Sequence, residues 1–196
     1  MSRSLVSLRR ALPSDAHVLA ELWRPVLRRA DAEDQLGDLL GIIERAAGSD
    51  SERMVVAEYD GEVAGAVHLR VSTLSPINLE RIVQVVAPHV LPQYRRHGVG
   101  RALMDAAVSY AEELGVGHVA TAAASGSRDA NRFMARLALG PRAVLRVAAT
   151  PIVRAKLTAQ SPAAHRSAAR QLPQVLAARR SMRRSGTSTP AGTPSA

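Results

Sequence analysis

Apolar and polar residues alternate over Leu5-Val6-Ser7-Leu8-Arg9, a period of two that predicts a first strand. Leu12-Pro13-Ser14-Asp15 then supplies turn and cap chemistry, and Val18, Leu19, Leu22 and Trp23 follow at helical spacing. Leu36, Leu39, Leu40 and Ile43 mark a second helix within Asp31 to Ala47, ended by Gly48-Ser49-Asp50. Met54 to Tyr59 and Glu62 to Val71 are strand-like runs separated by Asp60-Gly61, a pair suited to a two-residue hairpin turn. Arg81 to Leu91 predicts another strand, but Pro88 within it cannot donate to a ladder, so an edge, bulge or break belongs there. The period then returns to helical over Arg101 to Leu114, with Ala102, Leu103, Ala106, Ala107, Tyr110 and Leu114 inward and Gly115 closing the element. His118 to Ala123 reads as a strand, Arg128 to Leu137 as a helix and Ala143 to Val153 as a final strand. Strands and helices joined by both hairpins and crossovers place the chain in the mixed α/β class.

From Thr158 the pattern dissolves into Ala, Arg, Ser and Pro, with Ser161-Pro162 able to open a helix reaching Arg180 that Pro173 divides. The 196 residues therefore read as one domain, 1–157, and a basic tail, 158–196. Charge sharpens this division: residues 1–129 carry 14 arginines and 17 acids, net −3, whereas residues 130–196 carry 12 basic residues and no acid. The overall +9 thus belongs to the C-terminal third. A tail of this kind, with Arg179-Arg180 and Arg183-Arg184, suggests weak, salt-sensitive contact with nucleic acid, although it lacks interleaved aromatics. The absence of cysteine excludes disulfide scaffolds, thiolate metal sites and cysteine nucleophiles. No apolar run approaches the ~20 residues that cross a bilayer, and the expectation is a cytoplasmic protein without membrane contact, monomeric or homodimeric.

The run that carries chemistry is Val90-Leu91-Pro92-Gln93-Tyr94-Arg95-Arg96-His97-Gly98-Val99-Gly100-Arg101. A strand ends, two glycines allow a tight turn, and a helix begins with its unpaired N–H groups pointing back at whatever occupies the turn. Such a bend binds anions, and Arg95, Arg96 and Arg101 add positive charge. A nucleoside triphosphate loop needs Gly-Lys-Ser/Thr, but Arg101-Ala102 follows Gly100. A dinucleotide fingerprint needs a third glycine where Leu103 stands and an acid after the next strand, where Ala122-Ala123-Ala124-Ser125 occurs. Arg/Gln-x-x-Gly-x-Gly/Ala, present as Arg95 to Gly100, fits.

On that motif, the opening Leu8 to Asp15, the Asp60-Gly61 hairpin and the helix beginning near Ser127, the chain resembles the GNAT superfamily of acetyl-coenzyme A-dependent N-acetyltransferases over roughly Leu5 to Leu157. The resemblance implies a splayed, mostly antiparallel central sheet flanked by helices, its fourth and fifth strands opening like a V. It implies that the amides of Arg96, His97, Gly98, Val99, Gly100 and Arg101, with Arg95, cradle the coenzyme A pyrophosphate. His89, Val90 and Leu91 would offer main-chain groups to the pantetheine arm and an N–H to the thioester carbonyl, and Ser127 would stand where a coenzyme-contacting Asn is usual. The implied reaction moves an acetyl or longer acyl group from acetyl-CoA, as cosubstrate and without a metal, to a primary amine of a small molecule or protein by direct attack.

The pattern departs at two places. Where the family's proton-donating Tyr is usual the chain has Met134, whose thioether cannot protonate a thiolate. The proton then falls to water, the substrate or Tyr94. The base is equally open: Gln84 is not one, and the candidates are His89, Glu80 at the strand entrance and His68 on the third strand. The segment Ser72 to Asn78 is a candidate border of the acceptor site, and Trp23 a packing residue of the core or of the substrate entrance. Loss of the Tyr also motivates the alternative of a domain that binds acyl-CoA without turnover, and the tail motivates a nucleic-acid-binding protein.

Overall fold

The computed structural model describes residues 5–123 and 126–160, and the tail helix expected from Ser161 lies outside them. The chain divides into two compact units, Met1–Gly140 and Pro141–Ala196. In the first, five strands form one sheet in the order β1 (Val6–Arg10), β2 (Glu52–Tyr59), β3 (Glu62–Ser75), β4 (Asn78–Val90) and β5 (Val119–Thr121). The first four pair antiparallel, and β5 pairs parallel to β4. The helices are α1 (Ala16–Trp23), α2 (Ala32–Ala47), α3 (Val99–Glu113) and α4 (Arg128–Arg136).

Two apolar clusters sandwich the sheet. Leu19, Leu22 and Trp23 of α1 and Leu39, Ile43 and Ala46 of α2 meet Met54, Val56 and Ala66 on one face. On the other, Val99, Leu103, Met104, Ala107, Tyr110 and Ala111 of α3, with Met134 of α4, meet Val55, Ala57, Val67, Leu69, Val83 and Val85. Successive strand residues point to opposite faces, so β2 supplies Val55 to one cluster and Val56 to the other. The i, i+4, i+7 spacing of Leu39, Ile43 and Ala46 turns one stripe of α2 inward. Asp31 caps that helix, its side chain accepting from the Asp34 N–H at 2.8 Å.

The start of α1 is fixed by charge. Asp15, the one buried polar residue among those described, accepts the Leu12 N–H at 2.7 Å and two guanidinium hydrogen bonds from Arg9 at 2.7 and 2.9 Å. Arg9 also reaches Glu58 at 2.6 Å, joining β1, β2 and the helix entrance. The Arg9 guanidinium and the Leu12 amide hold the Asp15 carboxyl below its ordinary range against the opposing effect of burial.

Most expected elements form, with three corrections. The hairpin of β3 and β4 is longer than predicted, since β3 runs on to Ser75 and β4 starts at Asn78, not Arg81. The helix after the glycine loop begins at Val99, not Arg101. The strand expected over Ala143 to Val153 does not form: 141–149 carry no regular structure and α5 (Thr150–Gln160) follows. Val144, Leu145 and Val147 are 68, 89 and 84% exposed. The first compact unit ends at Gly140.

Candidate functional site

The expected irregularity in β4 is a bulge. Ala66 of β3 pairs with His89 and His68 with Val86, so Val67 alone faces both Ala87 and Pro88. Ala87 adopts φ +46°, a left-handed conformation uncommon for a residue with a side chain. Its carbonyl accepts a 2.7 Å hydrogen bond from the indole N–H of Trp23, at the end of α1. Beyond the bulge β3 and β4 run very close: a Cβ at Gly65 would lie 2.5 Å from the His89 carbonyl oxygen.

The bulge decides which main-chain groups face outward. Before it, the Val83 N–H donates to the His118 carbonyl and the Val85 carbonyl accepts from Thr121 Oγ1, so odd-numbered residues face β5. After it, the Leu91 N–H donates to the Ala64 carbonyl at 2.9 Å, so odd-numbered residues face β3. By strand alternation the main chain of Val90 then faces away from β3. The ladder between β4 and β5 ends at Val85–Thr121, five residues short of Val90, so that face is an open edge.

The chain leaves this edge through a short turn, Pro92–Tyr94, and enters α3. Arg96 and Gly98 both have positive φ, +66° and +87°, and Gly98 is the N-cap of α3. The first intrahelical bond joins the Ala102 N–H to the Gly98 carbonyl, so the amides of Val99, Gly100 and Arg101 have no acceptor within the helix. These amides and the exposed Arg95, Arg96 and Arg101 make a positive concavity at the end of β4. The loop is braced from the opposite side: Tyr94 lies 5.7 Å from Tyr59 ring to ring, and His97 meets Tyr59 edge-on at 5.0 Å. His97 also donates from Nδ1 to the Arg95 carbonyl at 2.8 Å, so its ring belongs to the loop's own structure.

The candidate base His89 is half-buried two residues after the bulged Ala87, on the sheet face it shares with Ala66. Burial, with Arg95 assisting, holds its imidazole below the ordinary value. Glu80 is displaced from the site: it lies at the other end of β4, roughly 30 Å of strand from Val90, and pairs with His118 at 3.0 Å. Ser72 to Asn78 lie at that same far end and do not border the bend. Tyr94 packs toward β2, across β3 from the open edge, as a brace. His68 donates from Nε2 to Glu52 at 3.2 Å, and burial lowers its pKa despite that partner. Met134 is buried in the α3 cluster.

Ser127 is the N-cap of α4, its carbonyl accepting from the backbone and side-chain amides of Asn131. Between α3, α4 and the start of β5 lies a groove of about 630 Å³ whose lining includes Arg101, Met104, Asp105, His118, Phe133 and Arg136. Among the described residues no cluster of His, Asp and Glu is arranged to hold a metal ion, and no helix is long and apolar enough to cross a membrane. Two contributors escaped the sequence reading: Tyr59, whose ring braces the loop, and the Trp23 indole N–H. Neither has a local motif, because each acts on a segment 35 or more residues away in the chain.

Residues 16–139 match the model of the acetyltransferase (GNAT) family. An uncharacterized N-acetyltransferase of Archaeoglobus fulgidus is 34% identical over 64 residues, which span 33% of this chain and 44% of that protein. Among solved structures, a transcriptional regulator from Bacillus halodurans superposes with TM-score 0.63 at 18% identity, over 74% of this chain and 99% of the other. The aminoglycoside N-acetyltransferase AAC(6′)-Iy in complex with CoA gives TM-score 0.62 at 16% identity, over 76% and 97%. Glucosamine-6-phosphate N-acetyltransferase from Arabidopsis thaliana gives 0.59 at 12%, over 74% and 98%. At these identities the structural likeness is one of fold.

Proposed function

The chain belongs to the acetyltransferase (GNAT) family, and from that premise we propose that it transfers an acetyl group from acetyl-CoA to a primary amine by direct attack in a ternary complex. The observation that carries this reading is the succession of an outward-facing Val90 main chain, a bend with positive φ at Arg96 and Gly98, and the free first-turn amides of α3. These groups fit an acyl-CoA in order. The amides from Arg96 to Arg101 and the three arginines receive the diphosphate, whose charge the helix terminus favours. The groove from Arg101 along α3 and α4, with Phe133 and Arg136, suits the nucleotide end. Ser127, half-buried at the start of α4, is a polar contact on the same side.

The open edge at Val90 suits the pantetheine arm, and its N–H the thioester oxygen. A donor aimed there stabilises the oxyanion that forms as the amine nitrogen bonds to the carbonyl carbon. Collapse of that adduct breaks the carbon–sulfur bond and releases coenzyme A. His89, uncharged at neutral pH because burial disfavours its cation, takes the proton that the amine loses. With Met134 in the core, the departing sulfur draws its proton from water. The acceptor is a small-molecule or protein amine.

Calorimetric titration with acetyl-CoA, followed by a thiol-release assay over a panel of primary amines, tests the reading. Binding with amine-dependent thiol release is the expected result. Binding without release from any amine would replace it with an acyl-CoA sensor, and no binding would overturn it.

A further inference from the structure

We infer that Trp23 is a positioning residue for the acyl group, acting through its indole N–H on the bulge that turns the Val90 main chain outward; this rests on the acyl-CoA reading above. Ala87 is in an unfavourable conformation on two counts: φ is +46°, and the residue precedes Pro88, which restricts it to extended backbone. Such strain persists only where surrounding structure fixes it. The indole N–H donating to the Ala87 carbonyl at 2.7 Å supplies that fixation. Trp23 is 4% exposed and packed among Leu19, Leu22 and Ala66, so the ring cannot turn its N–H to solvent. Relaxing the bulge would leave a buried donor unpaired.

The link to chemistry is the count of residues. Val67 faces two residues, Ala87 and Pro88, and that one extra residue exchanges outward for inward main-chain groups along the rest of β4. Without the bulge, the alternation set by Val83 and Val85 would aim His89 and Leu91 at the open edge and Val90 at β3. A hydrogen bond from α1 thus selects which amide meets a thioester, although Trp23 touches none of the reacting atoms. The diphosphate bend is held separately by α3 and by the Tyr59, Tyr94 and His97 rings.

Trp23 is the only tryptophan, so an analogue incorporated at every tryptophan codon changes this side chain alone. Benzothienylalanine replaces the N–H by sulfur and keeps the ring's shape, 5-fluorotryptophan keeps the N–H, and Trp23→Phe provides a genetic counterpart. The measurement is the affinity for acetyl-CoA beside that for adenosine 3′,5′-bisphosphate, which lacks the pantetheine arm. Loss of the donor should weaken acetyl-CoA by about tenfold and leave the bisphosphate unchanged, with 5-fluorotryptophan restoring acetyl-CoA binding. Equal weakening of both ligands would make Trp23 merely structural and overturn the inference, as would unchanged acetyl-CoA affinity; in both cases the acyl-CoA reading survives. A native protein that binds neither ligand would overturn that reading and this inference together.

Discussion

A single methyl group added at Gly65 should damage the candidate acyl site more than any change of charge around it. The Cβ of Gly65→Ala would lie 2.5 Å from the His89 carbonyl oxygen, 3.3 Å from Val90 Cα and 3.2 Å from Val99 Cγ1. Two of those three atoms are backbone, so no side-chain rotation relieves the clash. β4 must retreat by about 0.9 Å to restore the 3.4 Å of an ordinary contact. Overpacking of this kind costs about 1–3 kcal/mol, and for a unit of this size lowers Tm by roughly 3–10 °C. The retreating atoms belong to the segment whose Val90 amide faces the open edge, and a misplacement near 1 Å costs about 100-fold in rate. Gly100→Ala is the matched control, because its Cβ would sit at 3.7 Å from Val90 Cγ2 and 3.8 Å from Phe133 Cζ, in ordinary contact. That variant should keep its stability within about 1 kcal/mol and its affinity for acetyl-CoA. Thermal melts and calorimetric titration of both variants decide the matter. If Gly65→Ala melted and bound like Gly100→Ala, the close approach of β3 to β4, and the register argued from it, would be wrong.

Gly98→Val should lose most affinity for coenzyme A while melting within a few degrees of the native protein: φ +87° strains any side chain, yet nothing lies within 4 Å of the new Cβ. Unchanged affinity by titration would count against the bend as the diphosphate site. Burial holds the His89 pKa below its ordinary value of 6.5, so at a fixed concentration of unprotonated amine kcat/KM should fall below that pH as the imidazole gains a proton. His89→Gln should lower the rate and abolish that acid limb, and a variant retaining the limb would remove His89 as the base. Asp15→Asn keeps an acceptor for the Leu12 N–H but breaks the pair with Arg9, and should cost about 2 kcal/mol by urea unfolding at pH 7. Because Arg9 holds the folded carboxyl below its ordinary value of 3.8, this contribution is complete above that value and lost as the pH falls through the lower folded one. The gap between native and Asp15→Asn proteins should therefore close in acid, and a gap unchanged down to pH 2 would refute the assignment.

The parts of the fold legible in the sequence are those written by local chemistry. Asp60-Gly61 marks the turn between β2 and β3, the i, i+4, i+7 stripe marks α2, and Pro88 marks an irregularity that is a bulge one residue earlier, at Ala87. Glycines bracketed by arginines mark the bend into α3. What stays illegible shares one cause, which is that a residue's identity does not say which distant neighbours it meets. Glu80 stands at the strand entrance, as its place in the sequence indicates, but its pairing with His118 is non-local. Tyr94 adjoins the bend in sequence, yet the turn at Pro92 swings its ring onto Tyr59. The alternation in Ala143 to Val153 is a strand signal, yet 141–149 carry no regular structure and Val144, Leu145 and Val147 stay exposed.

The same distinction separates the two halves of the candidate site. Diphosphate recognition needs only consecutive residues, since free amides at a helix start are produced by the local bend whatever surrounds it. Which amide faces the open edge is non-local: it depends on the count of residues between Val85 and Leu91 against that between Ala64 and Leu69 on β3, and the surplus residue accepts a hydrogen bond from α1. A chain could therefore keep Arg95 to Gly100 intact and lose transfer through substitutions at Trp23 or Gly65 alone. In the proposed function, coenzyme binding and acyl transfer are therefore separable, and the bend bears only on the first.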